Sequence, residues 1–181
     1  MTVDDDLQQL ENLKTLKFER CYSVETEFGR HLRAFPAIKN VSIRGSLVQL
    51  QYGDGFPPTA WHQLKVLDVS GTGRYAAWIY ELILKDATDC TITHFYMEKC
   101  KLMPRIINDH PRFTFVSVAG STSETDAFHE IARWSALPSL RELNASGCRL
   151  RRAERQHLIS TRTDVVFNLR ARFEPSRRME F

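Results

Sequence analysis

Apolar residues recur in short clusters along the chain, and within each cluster apolar residues alternate with polar ones. Six of these apolar residues, which we call anchors, have an apolar residue three positions before them and another two positions after them. The anchors are Leu16, Val41, Leu67, Phe95, Val116 and Leu143. Strict alternation of apolar and polar residues is typical of a strand with one buried face. The pattern therefore predicts six short β-strands whose anchors point into a core.

Three further sets of equivalent positions, which we call columns, accompany the anchors. The apolar residues three positions before them are Leu13, Ile38, Leu64, Ile92, Phe113 and Leu140, and those two positions after them are Phe18, Ile43, Val69, Met97, Val118 and Ala145. Five positions after each anchor comes a small side chain with a hydroxyl or thiol, namely Cys21, Ser46, Thr72, Cys100, Ser121 and Cys148. Such a side chain lets the chain turn tightly and can hydrogen-bond exposed backbone. We therefore expect a turn after every strand.

The combined pattern, L-x-x-L-x-L-x-x-(C/S/T), resembles the leucine-rich repeat, specifically its cysteine-containing, ribonuclease-inhibitor-like class. Anchor spacings of 25, 26, 28, 21 and 27 residues suit that family. The segments FPPTAWHQLKVLDVSGTG and LPSLRELNASGC also resemble repeats of trypanosomatid leucine-rich-repeat proteins. The resemblance implies an α/β solenoid with a parallel sheet on its concave face and short helices or turns on its convex face. It also implies recognition of another macromolecule without catalysis.

Helical spacing of apolar residues predicts short helices between some strands. The apolar residues with this spacing are Phe28, Leu32 and Phe35 in one unit and Ala76, Ile79 and Ile83 in the next. In the fifth unit, Ser123 and Asp126 predict a capping box that starts a helix before Phe128 and Ile131. An amphipathic segment from Leu150 to Ile159 predicts another helix near the end of the chain.

The last apolar cluster, Val165, Phe167 and Leu169, predicts a seventh strand. Asp164 stands where the pattern has an apolar residue, so this unit is expected to be a terminal cap. We expect residues 1–170 to form one leucine-rich-repeat domain of about six repeats plus this capping unit. Residues 171–181 are expected to form a basic tail.

Composition places the chain among ordinary globular proteins, with 43% hydrophobic and 26% charged residues. The formal net charge of +3 is unevenly distributed: residues 1–30 carry a net charge of −3, and residues 141–181 carry +5. Ten arginines account for the basic end. They can form either a solvated surface or a patch that binds anions.

No basic segment followed by an apolar stretch opens the chain, and the most apolar run, residues 75–84, is half the length of a membrane span. We therefore expect an intracellular protein of the cytoplasm, cytoskeleton or an organelle interior, and not a secreted one. The four cysteines are too widely spaced for a disulfide framework or a zinc site, which predicts reduced thiols.

The sequence offers little support for catalysis. Its six histidines include no H-x-x-x-H pair, and its acidic residues are scattered. The segment SGTGR at residues 70–74 lacks the lysine-serine pair of a phosphate-binding loop, and its glycines suit a turn. We expect no enzyme, metal, cofactor or small-molecule substrate.

Residues one position before, one after and three after each anchor should face away from the core. At the centre of this face, His94, Tyr96 and Phe115 form an aromatic group. The charged residues expected to flank them are Lys17, Arg44, Asp68 and Glu98. This composition is typical of protein interfaces, which predicts a protein-protein interaction module, an adaptor or structural subunit of a larger assembly.

The alternative is an RNA-contacting subunit of a ribonucleoprotein. Arginine binds phosphate through its planar, bidentate guanidinium group. The candidate anion-binding residues are Arg149, Arg151, Arg152, Arg155, Arg170 and Arg172.

Overall fold

A seven-stranded parallel sheet organises the chain. The structure is a computed structural model that describes residues 12–21, 35–46, 63–73, 76, 91–102, 112–123 and 126–171. The strands of this sheet are β1 Thr15–Lys17, β2 Asn40–Ser42, β3 Val66–Asp68, β4 His94–Tyr96, β6 Phe115–Ser117, β8 Glu142–Asn144 and β9 Val166–Asn168. They lie side by side in the order β1-β2-β3-β4-β6-β8-β9. Together with its two described helices, the sheet makes the fold an α/β arrangement.

The strands pair at the predicted register. Each anchor lies directly beside the next, from Leu16 opposite Val41 to Val116 opposite Leu143. Phe167 extends the row beside Leu143 and confirms the seventh predicted strand. Its neighbour Val166 is 66% exposed, as expected for alternate residues of a strand with one buried face.

The core lies on the anchor side of the sheet. From Ile38 to Ala145, the three apolar columns are buried, and the side chains of Phe95, Val116 and Leu143 are at most 1% exposed. The first unit differs, because Leu16 is only half-buried at the outermost described strand. Burial of this kind supplies the main stabilisation of the fold, at about 25 cal/mol per Å² of apolar surface.

The column of small residues connects neighbouring turns. Its side chains donate hydrogen bonds to the carbonyl two positions after the preceding anchor: Ser46 Oγ to Phe18 at 2.6 Å, Cys100 Sγ to Val69 at 3.5 Å, Ser121 Oγ to Met97 at 2.8 Å and Cys148 Sγ to Val118 at 3.2 Å. Thr72 Oγ1 instead bonds the Val69 carbonyl of its own turn. The predicted role of this column is confirmed, although Cys21 is half-buried and not fully buried, since no described turn precedes it.

A further column, four positions after each anchor, was not predicted. Every one of its residues has a positive φ: Arg20 57°, Gly45 68°, Gly71 71°, Lys99 52°, Gly120 66° and Gly147 74°. Each donates its backbone N–H to a carbonyl of the following unit, as Lys99 does to Ala119 at 2.8 Å. Glycine occupies four of the six positions, and this recurrence is the sequence signal that identifies the column.

Lys99 and Gly120 hold equivalent positions in adjacent units and make a matched pair for mutation. We expect Lys99→Gly to raise the free energy of unfolding by about 0.5 kcal/mol, because relief of the left-handed backbone exceeds the added freedom of the unfolded chain. Gly120→Ala should lower it by about 1 kcal/mol. Urea unfolding measures both changes; a stabilising Gly120→Ala would contradict the assignment.

Helix α1, Ala127–Ser135, packs its Ile131 and Trp134 into the core. The fifth-unit helix is confirmed, but the predicted capping box is wrong. Asp126 is itself the N-cap, its carboxylate accepting the N–H of Phe128 at 2.9 Å. Ser123 lies instead in β7, Thr122–Ser123, which pairs with β5, Lys101–Leu102, in a second small sheet. A two-residue strand is too short to leave an alternating pattern, so this small sheet could not be predicted.

Helix α2, Arg152–Thr161, occupies the predicted amphipathic segment. Leu158 is buried, but Ile159 is 52% exposed, so the apolar face is narrower than predicted. Two helices were expected earlier in the chain. Ala76, from the second of them, is helical and buried, whereas Phe35, from the first, is buried but not in a helix. The other residues of those two helices lie outside the described residues.

Arg162 joins the end of α1 to the last unit. Its guanidinium donates hydrogen bonds to the carbonyls of Ser135 and, at 3.3 Å, of Leu137. It also donates two bonds to the Asp164 carboxylate, at 2.8 and 2.9 Å. Asp164 thus departs from the apolar pattern because it holds an arginine that satisfies carbonyls at the C-terminus of a helix.

Candidate functional site

The face of the sheet opposite the anchors, which we call the second face, carries three rings at its centre. It consists of the residues one before, one after and three after each anchor. His94 and Tyr96 flank the Phe95 anchor on β4, the middle strand, and Phe115 lies beside His94 on β6. The Phe115 ring is stacked on His94 at 5.7 Å and tilted against Tyr96 at 5.0 Å between centroids. The predicted aromatic group, called the aromatic cluster below, is therefore contiguous, and all three residues are half-buried.

A charged network lies beside the aromatic cluster. Arg44 contacts Glu98 at 3.0 Å and Asp68 at 3.5 Å, and its side chain remains 44% exposed. Burial lowers the pKa of Arg44, but the two carboxylates outweigh it and raise the pKa overall. The structure thus brings three of the four predicted charged residues together. Arg44 forms ion pairs with both carboxylates, so these three residues do not surround the rings as separate charges.

Hydroxyl groups extend the network beneath these charges. Ser117 Oγ donates to Glu98 Oε1 at 2.7 Å and accepts from Asn144 Nδ2 at 3.1 Å. Ser42 and Ser117 were expected on the surface, yet they are 8% and 0% exposed. That expectation is wrong because alternation fixes the direction of a side chain and not its accessibility. Glu19 and Glu98, which follow the neighbouring strands β1 and β4, contact the hydroxyls of Ser42 and Ser117.

Tyr96 stands among carboxylates. Burial raises the pKa of its phenol, and the negative charges of Asp68, Glu98 and Glu142 raise it further. Glu142 lies on β8 and is exposed. Sequence reasoning placed Glu142 on this face without assigning it to the site, because its proximity to Tyr96 depends on strand order.

Lys17, the remaining predicted residue, lies apart from the aromatic cluster. Register places it in the same row as Tyr96 but three strands away, on β1, where it is exposed. With strands about 4.8 Å apart, that separation is about 14 Å. Lys17 therefore belongs to the margin of the second face.

Two of the six arginines of the alternative site lie at a groove of about 620 Å³ between the start of α1 and the start of α2. Arg149 and Arg151 line it, but so do Asp126 and Glu154. Glu154 accepts the backbone N–H of Arg151 at 2.6 Å and lies 3.9 Å from its guanidinium. The groove is therefore of mixed charge.

The other candidate anion-binding residues are dispersed. Arg152 is exposed and Arg155 half-buried on α2, whereas Arg170 is exposed after β9. Arg172 lies outside the described residues. The structure consequently brings together only part of the predicted basic patch.

The buried thiols are poorly placed for nucleophilic chemistry. Cys100 and Cys148 are 3% and 6% exposed, and burial raises the pKa of both thiols. The thiolate, the reactive form, is thereby disfavoured. Cys90 lies outside the described residues.

Metal-binding clusters and membrane-spanning helices are both absent from the described part of the chain. No group of three or more His, Cys, Asp or Glu residues there could hold a metal ion. No helix in these ranges is long and apolar enough to cross a membrane. Comparison of the sequence with protein-family models gave no match, and none of the curated proteins compared with it is similar.

Proposed function

We propose that the chain is a non-enzymatic leucine-rich-repeat protein that binds a protein partner through the second face of its sheet. It would act as an adaptor or structural subunit of a larger assembly. Seven parallel strands in one register, a turn at the same offset after six of them, and side-chain hydrogen bonds from turn to turn support a solenoid of this class.

The observation that carries the functional proposal is the aromatic cluster. Aromatic residues provide most of the binding energy in many protein interfaces, where they sit centrally and charged residues surround them. His94, Tyr96 and Phe115 hold that central position on the middle strands. Their neighbours Arg44, Asp68 and Glu98 are already paired, which fixes the surroundings of the rings before a partner arrives.

The RNA-binding alternative has less support. A phosphate backbone favours a surface that is basic throughout, whereas Asp126 and Glu154 share the groove with Arg149 and Arg151. Catalysis has even less support, because Cys100 and Cys148 are buried and burial raises the pKa of their thiols. We therefore favour protein binding.

The proposal predicts that Tyr96→Ala/Phe115→Ala loses its partner. We expect recovery of the partner in quantitative affinity purification to fall by about tenfold or more, since removing two central aromatic side chains typically costs over 1.4 kcal/mol of binding. Ile159→Ala is the matched control, because it also removes an exposed apolar side chain but lies on α2. Circular dichroism melts establish that both variants are folded.

Two outcomes would contradict the proposal. The first is unchanged recovery of every partner by a folded Tyr96→Ala/Phe115→Ala variant. The second is recovery of RNA that persists in that variant, falls steeply with salt and disappears in Arg149→Ala/Arg151→Ala, which would favour the ribonucleoprotein alternative.

A further inference from the structure

The aromatic cluster lies in a local excess of negative charge. Strand register places Asp68 beside Tyr96 and Glu142 beside Phe115, and Glu98 follows Tyr96 by two residues. Arg44 pairs with Asp68 and Glu98. Glu142 is exposed and, within the described residues, makes no ion pair. Three carboxylates and one guanidinium therefore leave two negative charges around the rings, with the most accessible carboxylate uncompensated.

Positive charge on the second face is confined to its margins apart from Arg44. Lys17 lies on the first strand of the sheet, and Arg170 follows the last, three positions after Phe167. Each is three strands from β4. The centre of this face thus combines partly exposed ring surface with net negative charge, whereas Lys17 and Glu19 balance each other at the β1 end and Arg170 is positive at the β9 end.

We infer that the partner presents an arginine or lysine side chain to the aromatic cluster, where its cation packs on the rings of Tyr96 and Phe115 and its N–H groups donate to Glu142. This inference rests on the proposed function and specifies the chemistry of the partner. A cation is attracted to the negative face of an aromatic ring within about 6 Å of its centre. The carboxylates add complementary charge and would repel an acidic segment.

Selection of displayed random peptides tests the inference even while the partner is unidentified. A library is selected on the wild-type protein and counter-selected on Tyr96→Ala/Phe115→Ala, so that the peptides retained depend on the aromatic cluster. We expect these peptides to be enriched in arginine and lysine and depleted in aspartate and glutamate relative to the starting library. Retained peptides without basic enrichment, or an absence of retained peptides, would overturn the inference.

Affinity measurements on one selected peptide then test the role of Glu142. Glu142→Gln should weaken binding by about threefold and Glu142→Lys by about tenfold, the usual range for an exposed charge pair and its reversal. Glu19→Gln is the control, since Glu19 is an exposed carboxylate on the same face beside β1, and it should change the affinity less than Glu142→Gln. Binding should also weaken as NaCl rises from about 0.1 M to about 0.5 M.

The results separate this inference from the proposed function. If partner recovery depends on Tyr96 and Phe115 while Glu142→Lys and salt leave binding unchanged, the second face binds a protein but not through a basic side chain. If neither partners nor peptides depend on the two rings, both ideas fail. Equal weakening by Glu19→Gln and Glu142→Gln would indicate a general effect of charge and would also contradict the inference.

Discussion

Phe95→Ala is expected to lower the free energy of unfolding by about 4 kcal/mol, the usual cost of deleting a buried aromatic side chain. Phe95 is the anchor of the middle strand and is 1% exposed. Its ring stacks on Phe113 at 5.5 Å and on Trp134 of α1 at 5.9 Å. Truncation would leave a cavity between the sheet and α1 that these large rings cannot easily fill. Urea unfolding followed by circular dichroism measures the loss.

Phe115→Ala is the matched comparison, because it removes the same side chain from the other face of the adjacent strand. Phe115 is half-buried and contacts His94 and Tyr96. We expect a loss of about 1 kcal/mol, the typical contribution of aromatic contacts of this kind. Equal losses for the two variants would mean that the anchors do not define the core.

Arg162→Ala is expected to lower the free energy of unfolding by about 2 kcal/mol, since the Ser135 carbonyl would lose this donor and the Leu137 carbonyl would keep the N–H of Leu140. The side chain of Arg162 is 19% exposed and contacts the carbonyls of Ser135 and Leu137. Lysine should not restore stability, because one ammonium group cannot reproduce the planar arrangement of guanidinium donors. Full recovery of stability by Arg162→Lys would contradict this account.

This interaction also predicts a dependence on pH. The hydrogen bond from Arg162 lowers the pKa of Asp164 from 3.8 to about 2. A depressed carboxylate pKa stabilises the fold above the ordinary pKa, and the stabilisation is lost as the pH falls through the native value. The stability difference between wild type and Arg162→Ala should therefore narrow between about pH 4 and about pH 2.

Strand register could be predicted because several independent columns fix it. A slip of one residue would turn Val41 or Leu67 toward the second face and move Ser46 or Ser121 away from the carbonyls they bind. Neighbouring units repeat the same constraints, so an error in one unit conflicts with the next. The seventh strand was recognisable for the same reason, even though Asp164 interrupts its apolar column.

The candidate site could be predicted only in part. Alternation placed Tyr96 and Phe115 on one face, but it could not reveal that Arg44 spans from its own turn to Asp68 and Glu98. Such contacts depend on rotamers and on strand order. The start of α1 was misplaced because Ser123 and Asp126 are both good capping residues, and the hydrogen bond to Phe128 decides between them.

The hydrogen bonds between turns have a consequence for the size of the molecule. Ser46, Ser121 and the two buried thiols each satisfy a carbonyl of the unit before their own. In the solenoid proposed above, such a unit needs only a neighbour of the same kind on either side, and the hydrogen bonds of the described turns set no limit on how many units follow one another. Adding or deleting one whole unit would therefore change the length of the chain and leave the geometry of the remaining units unchanged.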